Sequence, residues 1–170
     1  MAGYCENQSK NGKSKKAAPL SAVVVLAVVL LTGAGSNSSS GSQVIDEGAG
    51  LVITISEISE TAKFFPVTAD GTKMEIVAVT APDGTIRTAF NTCQVCNGSP
   101  RAYFEQRGNT LECQACRNRF PMNLVGIEAG GCNPAPIFAK DRTETAETIT
   151  VSYETLGANA YLFPQNWKKQ

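Results

Sequence analysis

The order of apolar and polar residues predicts short β-strands over most of the chain. Apolar side chains at every second position are typical of strands that bury one face. This alternation is found at residues 51–55, 63–67, 74–79, 86–90 and 148–151. No long run has the 3.6-residue period of an amphipathic helix, so the pattern favours a mainly β domain.

Turn residues divide these runs. Asp70-Gly71 follows one predicted strand, and the turn around Gly84 follows another. Gly108 lies between residues 102–105 and 110–112, which predicts a β-hairpin. Residues 152–163 are compatible with a short helix. We expect a small β-sheet or barrel-like domain of about six or seven short strands with one modest core.

One apolar segment stands apart from the predicted strands. Residues 17–35 carry no charge and follow the lysine-rich residues 10–16. As a helix this segment is about 28 Å long, close to the hydrocarbon thickness of a bilayer. The preceding lysines predict a cytoplasmic segment 1–16, a transmembrane anchor and an outside location for the rest. The alternative is a signal peptide cleaved near Ala34 and a secreted protein. Both alternatives export the remainder of the chain.

The charge distribution supports this division. Residues 36–42 are a Ser/Gly linker, and the exported domain is expected at 43–170. From residue 43 onward the chain contains 11 Lys and Arg residues and 14 Asp and Glu residues, so this part is mildly acidic although the whole chain is neutral. No basic stripe is visible, which argues against a nucleic acid partner. Lys168 and Lys169 are predicted to lie in a solvated tail.

The chain contains six cysteines and no histidine. The absence of imidazole excludes Ser-His-Asp and Cys-His catalysis, HExxH zinc proteases and His-ligated haem. No residues suggest general acid–base catalysis on a substrate, so a redox carrier or metal-binding protein is favoured over an enzyme. Any metal must be held mainly by sulfur, which suits zinc, iron or an iron–sulfur cluster.

Four cysteines form two C-x-x-C pairs. Cys93 and Cys96 precede the predicted hairpin, and Cys113 and Cys116 follow it. A C-x-x-C turn directs both sulfurs to one side, and a hairpin between two such turns brings four sulfurs together. The pattern predicts a zinc-ribbon-like knuckle hairpin with a tetrathiolate site. Gly98 favours a positive φ in the turn after the first pair.

Two cysteines lie outside these pairs. Cys132 is part of the sequence Gly-Gly-Cys-Asn-Pro, in which two glycines allow close backbone approach and Asn-Pro favours a turn. Together with the two pairs, Cys132 suggests a polynuclear site, an exchangeable ligand or a separate reactive thiol. Cys5 lies on the cytoplasmic side of the apolar segment and has no assigned role. Disulfides or thiol–disulfide exchange are the alternative use of the exported cysteines.

The exported sequence combines several motifs, at residues 83–90, the two C-x-x-C pairs, Tyr103, Met122-Asn123, Ile127 and residues 130–134. This combination resembles the FtrD-like family of membrane iron–sulfur proteins. This resemblance implies an iron–sulfur centre or related metal site held by Cys93, Cys96, Cys113 and Cys116, with Cys132 a further candidate. It also implies an association with a ferrous-iron permease and its redox proteins. This chain differs from the multi-helix members in having one membrane segment, which argues against an embedded transport role.

Together these features predict a membrane-anchored, exported protein that binds iron–sulfur or another thiolate-preferring metal. Electron transfer or metal handling beside a metal transporter is the expected role. A structural zinc-ribbon interaction module is the alternative, followed by a thiol–disulfide oxidoreductase.

Overall fold

The computed structural model describes residues 41–169 and shows a mainly β domain. One short α-helix and four single-turn 3₁₀ helices complete it. The strands and the helix are β1 Gln43–Ile45, β2 Gly50–Thr54, β3 Lys63–Ala69, β4 Thr72–Thr80, β5 Ile86–Cys93, β6 Phe104–Arg107, β7 Thr110–Cys113, β8 Arg119–Pro121, β9 Pro134–Pro136, β10 Thr143–Glu144, β11 Thr148–Ser152 and α1 Tyr153–Asn159. The 3₁₀ helices are Ile55–Glu57, Met122–Leu124, Ala139–Asp141 and Ala160–Leu162.

A five-stranded sheet in the order β1-β3-β4-β5-β9 forms the centre of the domain. β3 and β4 meet at a two-residue hairpin in which Ala69 pairs with Thr72. Asp70 and Gly71 in this turn have φ of 48° and 69°. A type I′ hairpin needs positive φ at both central residues, which explains the Asp-Gly sequence.

Both faces of this sheet are buried. Along β4, Met74, Ile76 and Ala78 face one hydrophobic core, whereas Val77 and Val79 face a second core. Successive side chains of a strand point to opposite faces, so β4 contributes to both cores in turn. Burial on both sides explains why β4 is nearly continuous in apolar residues.

The first core is covered by a three-stranded sheet in the order β10-β11-β2 and by α1. Leu51 and Ile53 of β2 and Ile149 of β11 are almost wholly buried there. The helix begins after Ser152, whose side-chain hydroxyl accepts a hydrogen bond from the backbone N–H of Thr155. This N-cap satisfies a backbone donor that the helix leaves free.

The second core is covered by a three-stranded sheet in the order β6-β7-β8, which we call the knuckle sheet. Phe104, Leu111 and Phe120 pack from this sheet against Val77 and Val79. The cysteine pairs flank the β6–β7 hairpin, so the knuckle sheet carries the chemistry and the central sheet supports it.

The mainly β fold, the predicted strands and the hairpin are confirmed. The expected number of six or seven strands is too low, because residues 41–169 contain eleven strands when the short ones are included. The helix begins at Tyr153 and continues as a 3₁₀ turn to Leu162. The barrel-like alternative is wrong for residues 41–169, because β1 and β9 end the central sheet without pairing with each other. Within the same residues no helix has the length and apolar character needed to cross a bilayer. The predicted anchor at 17–35, most of the linker and Cys5 lie outside the described residues.

Candidate metal centre

The structure brings the four cysteines of the two C-x-x-C pairs together. The Sγ atoms of Cys93, Cys96, Cys113 and Cys116 all lie within 4.8 Å of one another. We call this group the four-cysteine cluster. Cys93 ends β5 and Cys113 ends β7, so each pair begins on a strand and continues into a turn.

Backbone hydrogen bonds fix the first turn, residues 93–99. The N–H of Cys93 donates to the carbonyl of Ala102 at 3.0 Å, and the N–H of Ser99 donates to the carbonyl of Cys96 at 2.8 Å. These bonds hold the chain that leaves Cys96 against the end of β5. The first pair is therefore anchored to the central sheet.

The second turn, residues 113–118, closes on itself. The N–H of Arg117 donates to the carbonyl of Cys113 at 2.8 Å, and the N–H of Cys113 donates to the carbonyl of Asn118 at 2.9 Å. Arg117 has φ of 65°, whereas Gly98 does not lie in the left-handed region. The positive φ expected after the first pair is thus found after the second, at an arginine.

The hairpin sets the distance between the two turns. Phe104 of β6 pairs with Cys113 of β7, and the N–H of Gln114 donates to the carbonyl of Tyr103 at 2.8 Å. The backbone N–H of Cys93 is hydrogen-bonded to the carbonyl of Ala102, two residues before Phe104. The separation of the turns is therefore fixed by continuous backbone pairing.

Cys132 reaches the cluster through β9. Pro134 pairs with Cys93, and the N–H of Gln94 donates to the carbonyl of Asn133 at 3.1 Å. Cys132 packs against the core that contains Cys93 and Cys113, and a hydrogen bond with the Cys116 thiol raises the pKa of Cys132. The fifth described cysteine thus lies beside the four-cysteine cluster.

The glycines before Cys132 serve a different purpose from the one expected. Gly130 and Gly131 have φ of 91° and 67°. A Cβ at Gly130 meets nothing within 4 Å, and one at Gly131 meets only the Asn133 side chain at 3.8 Å. Left-handed backbone, rather than close packing, requires glycine here.

The cluster is buried on one side and open on the other. Cys93 and Cys113 are fully buried, and Cys116 is exposed. Burial raises the pKa of Cys93 far above its ordinary value and that of Cys96 to about 11. Burial also opposes ionisation of Cys116, but the Asn118 N–H and neighbouring thiols outweigh it and lower its pKa to about 7.

Two arginines flank the open side. Arg119 Nε lies 2.9 Å from one carboxylate oxygen of Glu112, and Arg117 Nη1 lies 3.3 Å from the other. The hydrogen bond from Arg119 holds the pKa of Glu112 below its usual value. Both arginine side chains are more than 60% exposed. One carboxylate faces two guanidinium groups, so one positive charge remains uncompensated.

The donor set fits a thiolate-bound metal. Four sulfurs converge, and no carboxylate joins the group. Soft thiolates select zinc, iron and iron–sulfur centres over magnesium or calcium. All five described cysteines are free thiols rather than disulfides. The arrangement supports the predicted iron–sulfur or other metal cofactor, while the ligand role of each cysteine remains a prediction.

Two glutamines near the site were not predicted from the sequence to have a role there. Gln94 accepts a hydrogen bond from the Gly130 N–H at 2.5 Å and ties the first turn to the loop that carries Cys132. Gln114 accepts one from Arg117 at 2.8 Å within the second turn. Each glutamine directly follows the first cysteine of its pair, and this repeated position was an available signal.

Known proteins and families resemble this chain to different degrees. The quaternary ammonium Rieske monooxygenase CntA is similar to this chain with a TM-score of 0.41 and 15% identity. The match covers 63% of this chain and 32% of the monooxygenase, a likeness too distant to bear on fold or function. No curated protein matches the sequence. The family model of the membrane iron–sulfur containing protein FtrD-like matches residues 58–163. The chain therefore belongs to the FtrD-like family of membrane iron–sulfur proteins.

Proposed function

We propose that the domain is an electron carrier that holds iron through the four-cysteine cluster at the outer face of a membrane. The observation that carries this proposal is the convergence of four sulfurs within 4.8 Å. Iron held by thiolates changes oxidation state by one electron, at a potential set by charge, hydrogen bonds and exposure. Membership of an iron–sulfur family supports iron over zinc.

The graded burial of the cluster suits this role. Cys93 and Cys113 anchor it in the second core, whereas Cys116 reaches solvent. A rigid inner side keeps the ligands in place when the charge changes. An exposed ligand sulfur shortens the path to a partner that docks at the surface. The partner in this proposal is a redox component of a ferrous-iron permease, and residues 17–35 anchor the domain beside it.

The test is a potentiometric titration of the full chain, purified in detergent without oxygen. Metal analysis should find iron, and visible and electron paramagnetic resonance spectra should show a reversible one-electron transition. The Cys113→Ser variant should lose most of the iron and the transition, and Cys5→Ser should keep both. Purified protein that binds no metal would contradict the proposal.

A structural zinc site is the second candidate. The knuckle sheet has three strands of three or four residues each, and buried Cys93 and Cys113 are part of its core. A metal that joined both turns would stabilise this sheet whether or not it changed oxidation state. Zinc without a redox transition would favour this candidate. Turnover of a dithiol substrate, lost in Cys93→Ser, would favour thiol–disulfide exchange instead.

A further inference from the structure

The spacing of the four sulfurs bears on how many metal ions the site holds. A tetrahedral ion with metal–sulfur bonds of about 2.3 Å separates its thiolate ligands by ~3.8 Å. In the structure all four Sγ atoms lie within 4.8 Å of one another. No separation exceeds this tetrahedral edge by more than about 1 Å, so one ion can reach all four sulfurs.

A sulfide-bridged cluster needs a wider arrangement. Its cysteines are divided among two or more irons, and the irons and bridging sulfides lie between cysteines on different irons. Sulfurs on different irons are consequently farther apart than the edge of one tetrahedron. No pair in the four-cysteine cluster has such a separation.

Backbone pairing makes this spacing hard to enlarge. Moving the second turn away from the first would break the bond from Gln114 N–H to Tyr103 or the bond from Cys93 N–H to Ala102. Cys113 would also have to leave its register with Phe104. Buried backbone groups left without partners cost about 1–3 kcal/mol each.

We propose that the site holds one metal ion, bound by the four cysteines of the cluster without bridging sulfide. Cys132 is not a fifth ligand; it is a positioning residue whose thiol donates a hydrogen bond to a ligand sulfur. This inference rests on the proposed function for the identity of the ion, which is iron.

The position of Cys132 supports this division. Cys132 packs against the core that contains Cys93 and Cys113 but lies outside the group in which all sulfurs are mutually close. Its loop is held independently, through Gln94 and the pairing of Pro134 with Cys93. A hydrogen bond to a ligand sulfur reduces the electron density that the sulfur gives to the metal and raises the reduction potential.

Iron, zinc and acid-labile sulfide are measured per full chain after purification without oxygen, together with Mössbauer spectra. We expect one iron, no labile sulfide and the spectrum of a single high-spin site. Two or more irons with equivalent sulfide would overturn the single-ion inference and leave the electron-carrier proposal intact. One zinc without iron would support the single ion and overturn the electron carrier. Absence of any metal would overturn both.

Cysteine variants separate ligands from the hydrogen-bond donor. Cys132→Ala should retain one iron per chain with a lower reduction potential, and Cys132→Ser should restore part of the shift because a hydroxyl still donates. Cys116→Ala should lose most of the iron, and Cys5→Ala is the matched control. Circular dichroism verifies that each variant is folded. Loss of iron in a folded Cys132→Ala protein, to the extent seen in Cys116→Ala, would overturn the four-ligand assignment.

Discussion

The side-chain amide of Asn91 donates a hydrogen bond to the buried carboxylate of Glu75 at 2.7 Å. The amide oxygen of Asn91 in turn accepts from the backbone N–H of Phe104 at 2.8 Å. Asn91 lies on β5, two residues before Cys93, and Phe104 begins the knuckle sheet. A buried polar chain therefore connects the central sheet to the hairpin that carries the cysteines.

Replacing Asn91 by Ala should destabilise the metal-loaded domain. The Phe104 N–H and the Glu75 carboxylate each lose a buried partner, and each unsatisfied group costs about 1–3 kcal/mol. Urea unfolding followed by circular dichroism measures the loss. Asn123→Ala, at an exposed asparagine of the same region, is the control and should change stability by less than about 0.5 kcal/mol. Equal effects of the two variants would contradict this account.

Lys168 neutralises the same carboxylate from the C-terminal segment. Its ammonium lies 2.8 and 3.0 Å from the two oxygens of Glu75. The side chain is 40% exposed, so we expect Lys168→Gln to reduce the free energy of unfolding by about 1–2 kcal/mol, toward the low end for hydrogen bonds to charged groups. Lys169→Gln removes an equal charge from the adjacent exposed position and should leave unfolding unchanged. A similar loss in both variants would show that only net charge matters.

Alkylation of the reduced, metal-free chain should begin at Cys116. With a pKa of about 7, Cys116 is largely thiolate above neutral pH, so its rate should rise through pH 7 and level off about one unit higher. Cys96, with a pKa of about 11, should stay slow. Iodoacetamide labelling followed by peptide mass spectrometry measures each site, and metal loading should protect both. Faster labelling of Cys96 than of Cys116 at pH 7.5 would refute this order.

The uncompensated charge beside Cys116 should govern reaction with charged oxidants. Ferricyanide accepts one electron from the reduced protein. Four thiolates around one ferrous ion carry a net negative charge, so the rate should rise as salt screens the repulsion, and the arginines should weaken that repulsion. Arg119→Gln should slow the reaction severalfold at low salt, and Glu112→Gln should accelerate it. Lys140→Gln is the control, because Lys140 precedes Arg142, which contacts Ile86 at the opposite end of β5 from Cys93. Cationic cobalt hexammine should show the reverse order; identical responses to both oxidants would exclude an electrostatic cause.

Removal of the metal should loosen the knuckle sheet and spare the central one. The turns at residues 93–99 and 113–118 meet at the four-cysteine cluster. Without metal the knuckle sheet is held only by the core contacts on one of its faces. Hydrogen exchange in a chelator should therefore accelerate at β6 to β8 while β3 and β4 stay protected. Uniform acceleration across all strands would indicate that the metal stabilises the domain as a whole.

Local signals explain what could be predicted from the sequence. The strand at 74–79 and the hairpin around Gly108 have strong periodicity and turn residues, and both were found as expected. The meeting of the two C-x-x-C pairs follows from the hairpin between them. These features depend on neighbours in the sequence, so the sequence suffices to identify them.

Features that depend on distant partners were missed. β9 is Pro134–Pro136, and two prolines in three residues argue against a strand; it is possible because β9 lies at the edge of the sheet. Lys168 was expected in a solvated tail, yet it pairs with Glu75 and lies over the Tyr103 ring at 5.3 Å. Neither contact leaves a local pattern, because each partner is far away along the chain.

The alternation along β4 limits how this sequence can change in length. Met74, Ile76 and Ala78 belong to one core, and Val77 and Val79 to the other. A single inserted or deleted residue near the start of the strand would exchange the two sets and send Glu75 to the wrong side. The strand should therefore accept many apolar replacements but almost no insertions or deletions, and length variation among natural homologues should be confined to the loops that flank it.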